Sequence, residues 1–596
     1  MADTVEVQDP LLDEPREQAE VICEEAIPYP LSWVSRPRSY DPDLARRLAA
    51  HFGPVASRVL AGRGISDPVS METSLKNLAR IPHGFEEAVG VLMEALVRQQ
   101  HICILGDFDV DGATATALAW RGLRALGFSQ VSYLVPSRFA AGRGLAPETS
   151  QQLIAQQPDI VLTVDCGITS MEGAELLGAA GIRLIISDHH LPGDALPVAA
   201  AVVNPHVSNM ATALCGCGVV FHLLAELRAA ARAKGFFADG RGPHLASLLS
   251  LVALATVADV APLDQHNRTL VAEGLRRLRA GQAPQGLLAL CQVAKLDHRA
   301  ASTEDLAFGL APRLNAMGRL GEMAEAVRCL ITDSHEEASM LAAHMDSLNR
   351  NRRRIEAQMT GQAQGQVARL KANGMLPTGL CLYDPQWHEG ITGIVAARIK
   401  DTWQRPVIAM AKTAQGLLKG SMRSMPPWHA LEILETIARL APGLMAGFGG
   451  HAQAAGLTLE PVHLQTFAMV FDQAARMTSH SEAMISIATD GTLAAHELSN
   501  ATALALAALE PWGASLPPPV FDGVFEVVQA ERTWRLLRLV VHLPGLPRAL
   551  EALAFRHTGA VPQVGAAVRL LYGLMPNPSS AGTLPRLRIE RMEVLP

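Results

Sequence analysis

The stretch "LIISDHHLPG", residues 184–193, begins with aliphatic residues and continues into Asp188, His189 and His190. The aliphatic part is typical of a buried β-strand, and a buried strand does not accommodate three consecutive polar side chains. The polar residues therefore indicate the end of the strand and a site beyond it. Taken alone, Asp188 could be a helix N-cap, and the two histidines could be a surface pair.

Similar apolar runs recur between about residues 95 and 205, separated by stretches of helical length. The runs are "ICILGD" (102–107), "VSYLVP" (131–136), "IVLTVD" (160–165), "IRLIIS" (182–187) and "AAVVNP" (200–205). Apolar strands that alternate with helices indicate a parallel sheet covered on both faces. The sequence therefore predicts an α/β fold for this region.

At 596 residues the chain is too long for a single hydrophobic core, so several domains are expected. Residues 335–372 contain no proline and repeat apolar residues at helical spacing, which predicts one long helix. After residue 485 the pattern changes to alternation, as in "WRLLRLVVHL" (534–543), which predicts a small β-barrel or sandwich. The predicted divisions are an acidic arm at 1–48, an α/β domain at 49–334, a connecting helix at 335–374, a second α/β domain at 375–480 and a β domain at 481–596.

Composition narrows the class of protein. Hydrophobic residues make up 49% and charged residues 18%, which is typical of a globular chain, and no apolar run has membrane-spanning length. The eight cysteines show no CxxC pair, and "CGC" at 215–217 favours small-residue packing over a metal site. We therefore expect a reduced, cytoplasmic protein. The net charge of −7 means that any binding of nucleic acid must come from local patches.

Carboxylates follow three of the predicted strands. "GDFDVDG" supplies Asp107, Asp109 and Asp111, and "VDCG" supplies Asp165. Further on, Asp259 interrupts the apolar run "ALATVADVAPL". Because the carboxyl ends of parallel strands meet at one edge of a sheet, these groups are expected to lie together with "SDHH".

Several neighbouring carboxylates repel one another unless protons or cations neutralise them. Mixed Asp and His ligands suit manganese or magnesium, so the pattern predicts a metal site. A calcium loop is the alternative for "GDFDVDG", but the stretch follows a strand and lacks the glutamate of such loops. Asp259 by itself could also be a satisfied buried carboxylate.

The motifs resemble those of a known family. In order, "GDFDVDGATATA", "VDCGIT", "SDHH" and "TVADVAPLD" resemble the four motifs of the DHH phosphoesterase superfamily. The resemblance continues through "APRLNAMGRL" (311–320), "WHEGITGIVAARI" (387–399), "LKGSMRS" (418–424) and "FGGHAQAAG" (448–456), the last being typical of the DHH-associated domain. "PSRFAAGRGL" (136–145), "CGCGVVF" (215–221) and "LEPWG" (509–513) narrow it to the single-strand-specific DNA exonucleases of the superfamily. The resemblance covers roughly residues 50–530 of the chain.

The resemblance implies a DHH domain joined by the long helix to a DHH-associated α/β domain, followed by an OB-like barrel. It also implies two divalent cations, manganese or magnesium, that act on a phosphodiester. One departure matters, because many relatives carry a histidine where this chain has Leu105, and Asp107 is the expected substitute. The resemblance implies that Asp165 bridges both ions. It implies that Asp111, His189 and Asp259 complete one ion site, and that Asp109 with Asp107 completes the other. It also implies that Asp188 holds His189 in its ligating tautomer and that His190 faces the scissile phosphate.

A second set of residues is expected along the nucleotide path. A 5′-terminal phosphate is best bound by an arginine fork with hydroxyl donors, and "GSMRS" offers both. Trp387 could contact DNA or only pack. The substrate-binding residues implied by resemblance are Arg313, Asn315, Arg319, His388, Ser421, Arg423, Ser424 and His451.

Two further regions are candidates for DNA contact. Arg352, Arg353 and Arg354 on the long helix could form a solvated face or contact phosphates. In the barrel, Trp534, Arg535 and Arg538 are the sparse candidates for single-strand binding.

The expected function is single-strand-specific 5′→3′ DNA exonuclease activity that releases 5′-mononucleotides in repair and recombination. A helicase and a single-strand-binding protein are the expected partners, and the chain is expected to be a monomer. The alternatives are a DHH phosphodiesterase acting on short oligonucleotides or cyclic dinucleotides, and a non-catalytic DNA-binding replication scaffold. The first typically lacks the N-terminal extension and the barrel, and the second loses ligands that this chain retains.

Overall fold

The computed structural model describes residues 33–78, 84–137, 144–210, 212–374, 376–479, 485–533, 536–555, 559–577 and 584–595. The chain forms two compact units. The larger unit contains Ser35–Asp346 and Ala488–Pro596, and the smaller contains Ser347–Ile487. Within the described ranges, none of the helices has the length and apolar character needed to span a membrane.

The described residues form the following strands and helices. The strands are β1 (Trp33–Pro37), β2 (Ile102–Gly106), β3 (Val131–Leu134), β4 (Ile160–Val164), β5 (Arg183–Ser187), β6 (Ala201–Val203), β7 (Leu380–Tyr383), β8 (Val407–Lys412), β9 (Leu418–Arg423), β10 (Gly447–Gly450), β11 (Ala454–Leu459), β12 (Ile485–Thr489), β13 (Phe521–Arg532), β14 (Leu536–His542), β15 (Leu550–Phe555), β16 (Ala567–Met575) and β17 (Arg586–Val594). The helices are α1 (Pro42–Phe52), α2 (Pro54–Ala61), α3 (Glu86–Arg98), α4 (Val110–Leu126), α5 (Pro147–Ala155), α6 (Met171–Ala179), α7 (Gly216–Ala233), α8 (Leu249–Ala258), α9 (Gln265–Arg279), α10 (Gln285–Val293), α11 (Ala311–Leu320), α12 (Met323–Ile331), α13 (His335–Ala372), α14 (Thr392–Trp403), α15 (Ala430–Leu440), α16 (Leu464–Met477) and α17 (Asn500–Ala507).

The larger unit is built on a five-stranded sheet in the order β3-β2-β4-β5-β6, and every neighbouring pair is parallel. Strands β2 and β4 are buried along their whole length, as their uninterrupted apolar sequences require. The predicted parallel sheet is therefore confirmed. Its carboxyl-terminal edge is where the polar residues after β2, β4 and β5 emerge.

The C-terminal strands close into a barrel in the order β13-β14-β15-β17-β16, which confirms the predicted β-barrel. The barrel does not have a core of its own, because α1 and α2 pack into the same hydrophobic cluster. Leu48 and Leu60 from these helices share it with Phe521 and Tyr572 of the barrel. An ion pair of 2.7 Å also joins Arg58 of α2 to Glu497, in the segment that precedes the barrel.

The smaller unit contains a second sheet in the order β10-β11-β9-β8-β7, in which only β7 and β8 are parallel. Helices α15 and α16 contribute to its core, where the rings of Phe467 and Phe471 stack with centroids 6.1 Å apart. The predicted connecting helix is confirmed as α13, 38 residues long, and its predicted apolar positions Met345 and Met359 are buried.

We expect Leu60→Ala to lower the free energy of unfolding by about 2–5 kcal/mol, because Leu60 is fully buried in the core that α2 shares with the barrel. Val97→Ala is the matched control, because Val97 is 65% exposed and should change stability by less than about 0.5 kcal/mol. Urea unfolding followed by circular dichroism measures both. Equal stability of the two variants would contradict the shared core.

Candidate metal centre

The loop between β2 and α4 holds Asp107 and Asp109 in a tight turn. Asp109 is the N-cap of α4, and its Oδ1 accepts a hydrogen bond from the Gly112 amide, 3.0 Å. Oδ1 of Asp107 accepts from the amide of Phe108, 2.8 Å. The turn requires glycine at 112, because a Cβ there would lie 2.5 Å from the carbonyl oxygen of Asp107.

Asp111 lies in the first turn of α4 and is buried against the N-terminus of α7. Its Oδ2 accepts from the amide of Gly216, 2.6 Å, and its Oδ1 from the amide of Cys217, 2.8 Å. A helix N-terminus favours negative charge through its free amides and its dipole. The stretch "CGC", for which the sequence indicates only small-residue packing, therefore supplies two donors to the candidate centre.

Asp165 follows β4 and has a φ of +63°, a conformation that is uncommon for residues other than glycine. It is buried against α7, where a Cβ on Gly216 would lie 2.6 Å from the Cβ of Asp165. Its Oδ1 lies 3.0 Å from Nε2 of His189 and has no hydrogen-bond partner among the described residues. Oδ1 of Asp165 and Nε2 of His189 therefore lie side by side without a hydrogen bond, as two ligands of the same cation would.

His189 stands between the carboxylates. Besides Asp165, its Nε2 lies 3.7 Å from Oδ2 of Asp111, and its Nδ1 lies 3.9 Å from Oδ2 of Asp259, at the end of α8. The possible ligand atoms fall into three groups, each within 4.8 Å, namely Asp111 with His189 and Asp259, Asp107 with Asp109 and Asp165, and Asp165 with His189 and His190. Asp165 and His189 each belong to two of these groups, so the three groups form one continuous cluster.

The structure corrects one predicted contact. The resemblance implies that Asp188 orients the ring of His189, but its Oδ1 lies 2.7 Å from Nδ1 of His190. The chain turns over the buried carboxylate, which also accepts from the amides of His189, 2.7 Å, and Ile168, 3.0 Å. The carbonyl of His190 accepts from Nδ2 of Asn204, 2.9 Å. Asp188 therefore orients His190, whose ring centroid lies 4.5 Å from that of His189.

The electrostatics of the cluster favour cation binding. Burial raises the pKa of Asp165 well above its ordinary value, and burial with the charges of Asp259 and Asp109 raises the pKa of Asp111 to about 8. Desolvation and the charge of Asp109 raise the pKa of Asp259 to about 6. Burial lowers the pKa of His189 to about 4, so that it is neutral near pH 7, as a ligand must be. A divalent cation would replace the protons that these carboxyls otherwise retain.

Three predicted substrate residues lie on α11. The guanidinium of Arg313 is buried and donates to Oδ1 of Asp346, 2.9 Å, and to the carbonyl of Gly309, 2.6 Å, which gives it a structural position between α11 and the start of α13. Asn315 and Arg319 are half-buried on the same helix. This helix packs against the aspartate loop, because a Cβ on Gly318 would lie 2.1 Å from the carbonyl oxygen of Phe108.

In the smaller unit, two of the predicted phosphate-binding residues meet at the first turn of α14. The hydroxyl of Ser421 lies 3.0 Å from that of Thr392, and the guanidinium of Arg423 lies against Gly393, where a Cβ would be 2.8 Å from Nη2. Ser424 is buried, and its hydroxyl donates to the carbonyl of Trp428, 3.1 Å. Ser421 and Arg423 are half-buried, and Nη1 of Arg423 also donates to the carbonyl of Met422, 2.8 Å.

The remaining predicted residues of this unit differ in exposure. His388 is half-buried, and its Nδ1 accepts from the amide of Gly390, 3.1 Å. His451 is exposed on the turn between β10 and β11. Trp387 is 4% exposed and its indole nitrogen donates to Gln362 of α13, 2.9 Å, so it packs.

The basic residues predicted to contact DNA lie on α13 and in the barrel. On α13, Arg353 and Arg354 are exposed, whereas Arg352 lies 3.8 Å from the carboxylate of Glu356. In the barrel, Arg538 pairs with Glu551, 2.5 Å. Trp534 and Arg535 lie outside the described residues.

Comparison with known proteins gives matches along most of the chain. Residues 101–256 match the DHH family, N-terminal domain, residues 376–477 the DHHA1 domain, and residues 489–590 the RecJ OB domain. The single-stranded-DNA-specific exonuclease RecJ of Dickeya dadantii (strain 3937) is 44% identical over 84% of this chain and 88% of its own length. The protein of the same name from Escherichia coli (strain K12) is 40% identical over 90% of this chain and 95% of its own.

A solved structure agrees with these matches. The crystal structure of RecJ in complex with Mn²⁺ from Thermus thermophilus superposes with a TM-score of 0.79 and 31% identity over 94% of this chain and 79% of that one. The parallel sheet with aspartates and histidines at its edge, followed by a DHHA1 domain, defines the DHH class of proteins. Within that class, the chain belongs to the RecJ family.

We expect the metal-free protein to lose stability as the pH rises from about 7 to 8.5. The folded-state pKa of Asp111 is above its ordinary value, so its stabilising contribution is complete below the unfolded pKa and is lost as the pH rises through about 8. The loss is on the order of 1 kcal/mol per pH unit up to that pKa. Thermal unfolding with and without Mg²⁺ should show a larger rise in Tm on adding Mg²⁺ at the higher pH.

The variant Asp111→Asn is the control, because it removes the titrating group, and its metal-free Tm should depend less on pH. A Mg²⁺-induced rise in Tm that is smaller at the higher pH would contradict the proposed electrostatics.

Proposed function

We propose that this chain is a metal-dependent exonuclease that hydrolyses single-stranded DNA from its 5′ end and releases 5′-mononucleotides, in DNA repair and recombination. The observation that carries the proposal is the cluster at the sheet edge, in which Asp165 belongs to two groups of possible ligands. Membership of the RecJ family, whose curated relatives are named single-stranded-DNA-specific exonucleases, supplies the substrate. The RecJ OB domain agrees with a single-stranded substrate.

Two divalent cations, manganese or magnesium, would be held at this edge. We assign Asp111, His189 and Asp259 to one ion and Asp107 and Asp109 to the other, with Asp165 shared. When bound, such ions stabilise the negative charge that develops on the oxygens of the phosphodiester. We assign to His190 the contact with the scissile phosphate, because Asp188 holds its Nδ1 side and the ring is about half exposed.

The position of Leu105 supports Asp107 as a ligand. Leu105 is fully buried in an apolar cluster with Cys103 and Val161, so no donor is available there. Asp107 lies two residues later, and its carboxylate groups with those of Asp109 and Asp165. We infer that Asp107 takes the place of the histidine that many relatives carry.

We propose that the terminal 5′-phosphate binds at the first turn of α14. Arg423 supplies a fork of donors, Ser421 and Thr392 supply hydroxyls, and the helix N-terminus supplies amides. We also propose that His388 and His451 in the smaller unit, and Asn315 and Arg319 on α11 in the larger unit, contact the DNA strand. Ser424 and Arg313 are proposed to support these contacts through their hydrogen bonds to the protein.

We further propose a helicase and a single-strand-binding protein as partners, a monomeric state and a cytoplasmic location. The described cysteines are all free thiols, which agrees with a reducing compartment. A phosphodiesterase for short oligonucleotides or cyclic dinucleotides would not need the barrel, and a non-catalytic scaffold would not need the complete ligand cluster. Neither alternative is favoured by an observation of its own.

We expect Asp165→Ala to lower the rate of DNA hydrolysis by about 100-fold or more, because two of the three groups of possible ligands lose Asp165, the residue that we assign to both ions. Its circular dichroism and its affinity for single-stranded DNA should be close to those of the parent chain. Asp159→Ala, at the opposite end of β4, is the control and should retain the parent rate. Parent-like turnover by Asp165→Ala would remove the two-ion assignment.

We expect Arg423→Ala to reduce the preference for 5′-phosphorylated over 5′-hydroxyl DNA by roughly ten- to 100-fold, as expected for the loss of a charge-assisted hydrogen bond. Hydrolysis of the bond itself should persist. Rates on the two substrates, measured side by side, give the ratio, and Arg439→Ala on α15 is the matched basic control. A ratio equal to that of the parent would contradict the phosphate pocket.

A further inference from the structure

Helix α8 ends in a turn that its sequence disfavours. Asp259 is the last residue of the helical path, and Val260 has a φ of +58°. The amides of Val260 and Ala261 donate to the carbonyls of Val257, 3.3 Å, and Thr256, 3.1 Å, the pattern of a helix terminus that usually carries glycine. A β-branched residue is strained in this left-handed region. The side chain of Val260 is 69% exposed, so packing does not offset the strain.

The residues just after this turn are fixed to the C-terminal region. Leu263 is buried, and its amide donates to the carbonyl of Ala514, 2.7 Å. Gly513 permits this approach, because a Cβ there would lie 2.7 Å from Cδ1 of Leu263. Arg268, which is 3% exposed, donates to the carbonyls of Leu509, 2.9 Å, and Pro511, 3.4 Å. The segment "LEPWG" thus docks on the beginning of α9.

The stretch between the two ends is tied down by hydrogen bonds. Asn267 is fully buried, and its Nδ2 donates to the carbonyls of Pro262 and Ala213, both 2.8 Å. Asp264 caps α9 by accepting from the amide of Asn267, 2.8 Å, and accepts from the hydroxyl of Thr212, 2.7 Å. Leu263 follows Val260 by only three residues in this ordered stretch, so the position of Leu263 constrains the turn.

We propose that the "LEPWG" segment positions Asp259, because its docking on Leu263 and Arg268 holds Val260 in the left-handed conformation that directs the Asp259 carboxylate to the metal centre. The proposal rests on the two-ion centre proposed above and adds a role for the C-terminal region beyond DNA binding. Arg268 and Gly513 are positioning residues in this account. They contact no predicted ligand, and they act on the metal centre through the turn.

The test is Mn²⁺ binding to the full-length chain freed of metal, followed by electron paramagnetic resonance. Arg268→Lys keeps the charge but lacks the fork that reaches two carbonyls, and Gly513→Ala adds a methyl group against Leu263. Each substitution should lower the affinity for one of the two Mn²⁺ ions by about tenfold, or about 1.4 kcal/mol. Arg276→Lys on the same helix is the control, because Arg276 is largely exposed and pairs with Glu273, and its Mn²⁺ binding should match the parent.

A second substitution separates positioning from general destabilisation. Glycine adopts the left-handed conformation without strain. Adding Val260→Gly to Arg268→Lys or to Gly513→Ala should therefore restore Mn²⁺ binding. Val260→Gly alone, in the parent chain, should change the Mn²⁺ affinity by less than about twofold. Parent-like binding by both docking variants, or a loss that Val260→Gly does not repair, would overturn the proposal. A parent chain that binds no Mn²⁺ would instead overturn the two-ion centre, so the two failures are distinguishable.

Discussion

The buried carboxylates at the edge of the parallel sheet impose the constraint on which this structure depends. Asp111 and Asp165 are almost inaccessible to solvent, and both have raised pKa values because burial disfavours their charged forms. Without a cation they retain protons or destabilise one another. The surrounding fold is adapted to holding them in place, through the amides at the start of α7 and through Gly216, whose missing side chain lets Asp165 approach.

This constraint links stability to function. A cation that binds only the folded chain stabilises it, so the centre that would carry catalysis also contributes to folding. Asp259 is also held by the surrounding fold, because it precedes the strained residue Val260 in a turn between the metal centre and the docked C-terminal segment. Because the barrel shares its core with α1 and α2, removal of the barrel would expose that core, and removal of the preceding "LEPWG" segment would expose the start of α9.

Sequence periodicity predicted the parallel sheet, the long helix and the barrel, because each has a distinct spacing of apolar residues. The polar residues that follow the predicted strands were also expected to meet, because the carboxyl ends of parallel strands lie at one edge, whereas Asp259 lies at the end of helix α8. The contact of Asp188 with His190 was not predictable, because it depends on how the chain turns over one carboxylate. The amides that bind Asp111 lie more than 100 residues away along the chain. Because every residue except proline has a backbone amide, the sequence does not indicate which amides bind a carboxylate. Likewise, nothing in the sequence of α1 and α2 states that the surface they cover is the barrel.

Isothermal titration of the metal-free chain with Mn²⁺ near pH 7, in two buffers of different ionisation enthalpy, tests the central claim most directly. The account predicts two ions for each chain and a net release of protons, because carboxyls with raised pKa values must lose their protons to bind a cation. The release should decrease as the pH is raised beyond about 8, where Asp111 is already ionised. Binding of fewer than two ions, or binding without proton release, would contradict the account.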